Sequence, residues 1–126
     1  MRAVDTNVIV RLIVRDDAAQ VVAADAFVEH GVWISTLALA EAVWVLSSTY
    51  DLRSSELVAA IDMLLNNTRV TMQDAEAVSA ALAVFRSKPA LGFSDCLVLE
   101  LARRSGHLPL GTFDRNLAKL DGAERL

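Results

Sequence analysis

The chain has 126 residues, enough for one domain that buries roughly two thirds of its unfolded surface. Hydrophobic residues make up 54%, yet no apolar run reaches the roughly 18 residues that a membrane span needs, and one cysteine, Cys96, excludes an internal disulfide. A formal net charge of −4 disfavours a strong non-specific nucleic-acid binder. Asp5 interrupts the N-terminal stretch and no small-residue cleavage site follows it, so the expectation is a soluble, cytoplasmic protein.

In chain order, Ala3-Val4 reads as the end of a short buried strand, followed at once by Asp5. Thr6 or Asn7 is placed to cap a helix over Val8 to Val14. Asp16 or Asp17 caps a second helix, with Val21, Ala24, Phe27 and Val28 on one face, running to His30 and stopped at Gly31. Val32-Trp33-Ile34 is a compact strand, and Ser35 or Thr36 opens a long helix to Ser48. The next helix starts at Arg53-Ser54-Ser55, carries Leu57, Ile61, Leu64 and Leu65, and ends at Asn66-Asn67. Arg69 to Met72 is a third strand. Asp74 is the expected cap of a helix with Val78, Ala81, Leu82 and Phe85 inward, halted by Pro89. Ser94 opens another, with Leu97, Val98, Leu101 and Ala102 inward, ending at Gly106. Leu108 to Thr112 forms a fourth strand whose Pro109 points to an early or edge position, Asp114 caps a short helix, and Ala123 to Leu126 offers a weak last strand. Strands spaced by helices predict a mainly parallel sheet covered on both faces, in a single α/β domain spanning residues 1–126.

Four acids stand out. Glu41 is the sole polar side chain in Leu37-Ala38-Leu39-Ala40-Glu41-Ala42-Val43-Trp44-Val45-Leu46. A helix apolar all round is normally buried, so Glu41 is expected to be buried and then to need an arginine, a proton or a cation. Asp5 lies at the carboxyl end of a strand, where open α/β sheets bind ligands, although it can equally cap the helix behind it. Asp95 can simply complement a helix dipole, and Asp114 is an ordinary helix cap. Taken together, three acids at strand ends or helix starts and one in an apolar helix predict a shared metal site. Oxygen-only ligands suit Mg²⁺ or Mn²⁺ rather than zinc. Such ions complete their shells with substrate phosphate oxygens, which points to phosphodiester chemistry.

Asp5-Thr6-Asn7 after a strand, Glu41 in the helix after Ser35-Thr36, Asp95 in Ser-Asp-Cys-Leu-Val-Leu, and Thr112-Phe113-Asp114 resemble, in order and spacing, the PIN domains. The likeness is greatest to VapC-like ribonuclease toxins of toxin–antitoxin pairs. It implies an α/β/α sandwich, a Mg²⁺- or Mn²⁺-dependent endoribonuclease leaving 5′-phosphate and 3′-hydroxyl ends, a homodimer, and inhibition by a small cognate antitoxin. By the same resemblance Asp5, Asp95, Asp114 and Glu41 hold the metal and activate water, while Thr6, Asn7 and Thr112 support them, Thr112 by bonding Asp5 or a metal-bound water. Asn116 stands where some members carry a further acid.

Other readings are an RNA-processing nuclease without a toxic role, a PIN-like binding module that cleaves nothing, and an aspartyl-phosphate phosphatase. The last is disfavoured by Asn7, where such sites carry a second aspartate. Arg11, Arg15, Arg86, Lys88, Arg103, Arg104 and Arg115 are candidates for a basic patch. His30 and His107 read as solvated or as complementing helix dipoles. Cys96 reads as a small buried hydrophobe despite its place at a helix start, and Trp33, Trp44 and the phenylalanines as core.

Overall fold

A computed structural model describes residues 1–126. The fold is α/β, with six α-helices and five short strands, every strand pair parallel. No helix is long and apolar enough to cross a membrane. Two compact units divide the chain, Met1–Ala75 and Glu76–Leu126.

The first unit is built on strands β1 (Arg2–Ala3), β2 (Val32–Ile34) and β3 (Val70–Met72), in that order across the sheet. Register is set by Ala3 opposite Trp33, Trp33 opposite Thr71, and Ile34 opposite Met72. The middle strand alternates as its sequence predicts, Val32 and Ile34 being fully buried and Trp33 half-buried. β1 is shorter and more open than expected: Ala3 is exposed, and burial begins at Val4, whose N–H donates to the Trp33 carbonyl at 3.2 Å.

Four helices complete this unit: α1 (Thr6–Ile13), α2 (Ala18–Val28), α3 (Thr36–Ser48) and α4 (Ser54–Asn66). α1 packs on α2 and α3, α3 on α4, and α4 on β3. Each starts where a side chain satisfies orphan backbone N–H groups. Asp17 accepts from Gln20 N, Ser35 from Ala38 N, and the Glu56 carboxylate from Arg53 N. Asp5, rather than Thr6 or Asn7, caps α1, because its extended backbone turns the carboxylate back onto Val8 N. Ile9, Ile34, Leu39, Leu46 and Ile61 are the largest wholly buried side chains of the unit, each contributing about 1.5–3 kcal/mol.

The second unit holds α5 (Ala75–Ser87), α6 (Phe93–Arg104), β4 (Leu110–Thr112) and β5 (Ala123–Arg125), with α5 beginning one residue before the boundary. Ala77, Val78, Ala81, Leu82 and Phe85 line the buried face of α5, and Phe85 meets Phe93 edge to face with centroids 6.1 Å apart. Asp74 does not cap α5. It sits in the left-handed region at φ 50° and makes no side-chain hydrogen bond to the helix. β4 and β5 pair as a separate two-stranded sheet, Leu110 opposite Ala123 and Thr112 opposite Arg125. The single sheet read from the sequence is therefore corrected to one of three strands and one of two. β4, only three residues long, takes its partner from the segment that follows it, reached through the 3₁₀ turn Leu117–Lys119.

Candidate active site

In a parallel sheet the carboxyl ends of the strands share an edge, and the first unit gathers polar side chains there. Asp5 follows β1. Its carboxylate is exposed and spends Oδ1 on Val8 N at 3.3 Å. The adjacent Thr6 donates from its hydroxyl to Oε2 of Glu41 at 3.0 Å, so α1 and the second turn of α3 are tied at this edge. Gln73, just past β3, completes it: its Oε1 accepts from Thr36 N at 3.0 Å and lies 3.3 Å from the Thr36 hydroxyl. Asn7 is exposed and lines a cavity of about 360 Å³ with Val8, Arg11, Gln20, Ala23, Ala24 and Phe27.

Glu41 is exposed, which corrects the expectation of a buried glutamate. Leu37, Glu41 and Trp44 recur at helical spacing and form one open stripe of α3, while Ala38, Leu39, Ala42, Val43 and Leu46 take the core. Its partner is the Thr6 hydroxyl, and it makes no ion pair with an arginine. Apolarity on every side leaves a helix free to bury whichever face its neighbours select, and here the glutamate faces water.

The second unit holds the other two acids. α6 begins at Phe93, not Ser94, with Gly92 in the N-cap position at φ 80°, ψ 143°, a conformation that essentially only glycine adopts. Asp95 falls in the first turn, half-buried. Burial, and after it the negative charge of Asp114, pushes the Asp95 carboxyl above its ordinary value of 3.8. Asp114 follows β4 and is exposed. Its Oδ1 accepts from Asn116 N at 2.8 Å and Leu117 N at 2.9 Å, and its own N–H donates to the Thr112 hydroxyl at 3.0 Å. Thr112 thereby spends its oxygen on shaping this turn. Neither unit by itself assembles three or more acidic, histidine or cysteine side chains able to hold a metal ion.

The one buried acid is Glu100, 8% exposed, a residue passed over in the sequence. Its carboxylate lies 3.6 Å from Nε of Arg103, whose Nη2 donates to the Asp121 carbonyl at 2.6 Å. Gly122 at φ 90° leaves room for that guanidinium, since a Cβ there would lie 3.1 Å from it. This chain of contacts anchors the approach to β5. Cys96, one turn before Glu100, is pushed up to about 11, chiefly by burial and then by Asp95, so its thiol stays protonated and inert at neutral pH.

Of the candidate basic residues, Arg11 is held by Asp16 and Tyr50, Arg15 by Asp25, Arg103 by Glu100 and Arg104 by Glu76. Arg86, Lys88 and Arg115 are exposed and make no ion pair, and all three lie in the second unit with Asp95 and Asp114. Both histidines are exposed. Two aromatic residues read as core face solvent instead, Trp44 at 69% and Phe113 at 81%.

Residues 2–123 match the PIN domain family, nearly the whole chain. No curated protein and no solved structure gives a significant match.

Proposed function

Because the chain belongs to the PIN domain family, a fold of metal-dependent nucleases, we propose that it is an endoribonuclease that hydrolyses RNA with Mg²⁺ or Mn²⁺ through Asp5, Glu41, Asp95 and Asp114. The observation that carries this reading is the extent of the family match, which takes in all four acids. The donor chemistry fits a hard cation. Every candidate ligand is a carboxylate oxygen, and Asp95, raised chiefly by burial, also feels the negative charge of Asp114, a repulsion that a divalent ion relieves.

Asp95 and Asp114 are the ligands on which this reading leans most, with Asp114 offering the carboxylate oxygen that its turn leaves free. Asp5 has the same character, one oxygen capping α1 and the other available. Glu41, oriented by the Thr6 hydroxyl, takes the proton of the attacking water. When bound, the metal supplies a water of lowered pKa and positive charge against the developing oxyanions. Arg86, Lys88 and Arg115 hold flanking RNA phosphates. Cleavage leaves a 5′-phosphate and a 3′-hydroxyl, and the chain acts as a homodimeric toxin silenced by a cognate antitoxin.

The competing reading, a binding module with structural acids, draws on the capping bonds that Asp5 and Asp114 both make. Purified protein incubated with RNA separates the two. Cleavage that EDTA abolishes, that Mg²⁺ or Mn²⁺ restores, and that Asp95→Asn and Glu41→Gln both lose, supports the enzyme. Cleavage surviving in Asp95→Asn, or no cleavage by the wild type in either metal, refutes it. Co-purification with the product of an adjacent small reading frame tests the toxin assignment separately.

A further inference from the structure

Phe113 is the most exposed large hydrophobic residue in the protein, at 81%. Isolated apolar side chains on a surface need no special explanation, but this one combines three features. First, its backbone is pinned on both sides. The Thr112 carbonyl accepts from Leu126 N at 2.9 Å, the Asp114 N–H donates to the Thr112 hydroxyl at 3.0 Å, and Asp114 Oδ1 gathers Asn116 N and Leu117 N. A ring on so fixed a base has only two side-chain torsions to lose on contact. Second, the residues around it in the chain are Thr112, Asp114, Arg115 and Asn116, all polar, and Arg115 is exposed with no ion pair. A ring with an unpaired guanidinium two residues on suits single-stranded nucleic acid, the ring on a base and the guanidinium on a phosphate. Third, the ring adjoins Asp114, one of the four acids of the proposed site, in the turn that follows β4.

We infer that Phe113 is a substrate-positioning residue that stacks on an unpaired nucleobase of single-stranded RNA next to Asp114, with Arg115 on a neighbouring phosphate. This rests on the ribonuclease reading above. A base offers a π-face to a flat ring whatever its identity, and a guanidinium next to the stack neutralises the backbone. Bases locked in a duplex present no free face, so the preference is for single strands.

The test uses a single-stranded RNA carrying 2-aminopurine, whose fluorescence is quenched on stacking, bound to the full chain in a Glu41→Gln background that keeps the RNA intact. Phe113→Ala is expected to remove the quench and raise Kd about 5- to 150-fold, while Phe113→Trp restores both. In the otherwise wild-type protein Phe113→Ala raises KM and leaves kcat within about twofold, the split expected for lost uniform binding. Arg115→Ala flattens the salt dependence of binding by about one phosphate contact. An unchanged quench, Kd and KM in Phe113→Ala overturns the inference while leaving the nuclease standing. Phe113→Leu binding as tightly as Phe113→Trp also overturns it, since shape rather than stacking would then hold the RNA. A fall in molecular mass of Phe113→Ala with RNA affinity intact assigns the ring to a contact between copies and overturns it too. Failure of the parent chain to bind or cut any RNA removes both readings together.

Discussion

Asp114 offers a clean separation of structural from electrostatic work, because its two jobs use different properties of one carboxylate. Oδ1 accepts two backbone N–H groups at 2.8 and 2.9 Å, which needs an oxygen but no charge. The effect on Asp95 needs the charge. Asp114→Ala removes both, and loss of a capping oxygen costs about 0.5–2 kcal/mol. For a chain of 126 residues each kcal/mol moves the melting temperature by roughly 3–6 °C, so a fall of about 1.5–12 °C is expected. Asp114→Asn keeps an oxygen in place, and Asn caps as well as Asp, so its melting temperature stays within about 2 °C of wild type. In both variants the Asp95 carboxyl falls, yet it stays above its ordinary value of 3.8, since burial is the larger cause of its shift. Calorimetry gives the first quantity and a carboxyl-carbon NMR titration of Asp95 gives the second. Equal destabilisation by Asn and Ala, or an Asp95 titration that does not move, refutes this division of labour.

Asp95 makes a pH-dependent contribution to stability. Its carboxyl titrates above the ordinary value when folded, so the native state holds that proton more tightly than the unfolded chain. The contribution is therefore unfavourable above the raised value and vanishes below about 3.8. Asp95→Asn should gain stability over metal-free wild type as pH rises from that point toward neutrality, read by urea unfolding across the range. A variant less stable than wild type at pH 7 contradicts this. Gly92→Ala meets no neighbour within 4 Å, so its cost is backbone strain alone, about 1–3 kcal/mol for a residue held at φ 80°, ψ 143°; a loss under about 0.5 kcal/mol by denaturation argues against that conformation. Arg103→Ala removes the Asp121 contact and leaves buried Glu100 without its counter-charge, for an expected loss of about 1.5–3 kcal/mol, while the double change with Glu100→Gln recovers part of it.

Local chemistry made much of the chain legible in advance. Asp17 and Ser35 begin their helices as read, α3 runs to Ser48 and α4 to Asn66, and β2 occupies Val32–Ile34, because caps and hydrophobic period act over a few residues and are written in one stretch of chain. The PIN family likewise follows from short motifs in a fixed order. The polar anchors at the sheet edge were less visible: Thr36 and Gln73 are 37 positions apart, and nothing in either segment announces the other.

Which acids meet water and which do not was decided only by tertiary packing. Glu41 sits in the more apolar segment and is exposed, whereas Glu100, in an α6 segment that carries several charges, is buried. Val98 faces solvent while Leu99 is covered, Trp44 and Phe113 lie open, and the strands divide three and two. In each case a side chain's free energy depends on the surface brought against it from elsewhere in the chain. Composition and periodicity set how much apolar area must be hidden, and only the packed structure selects the faces that hide it.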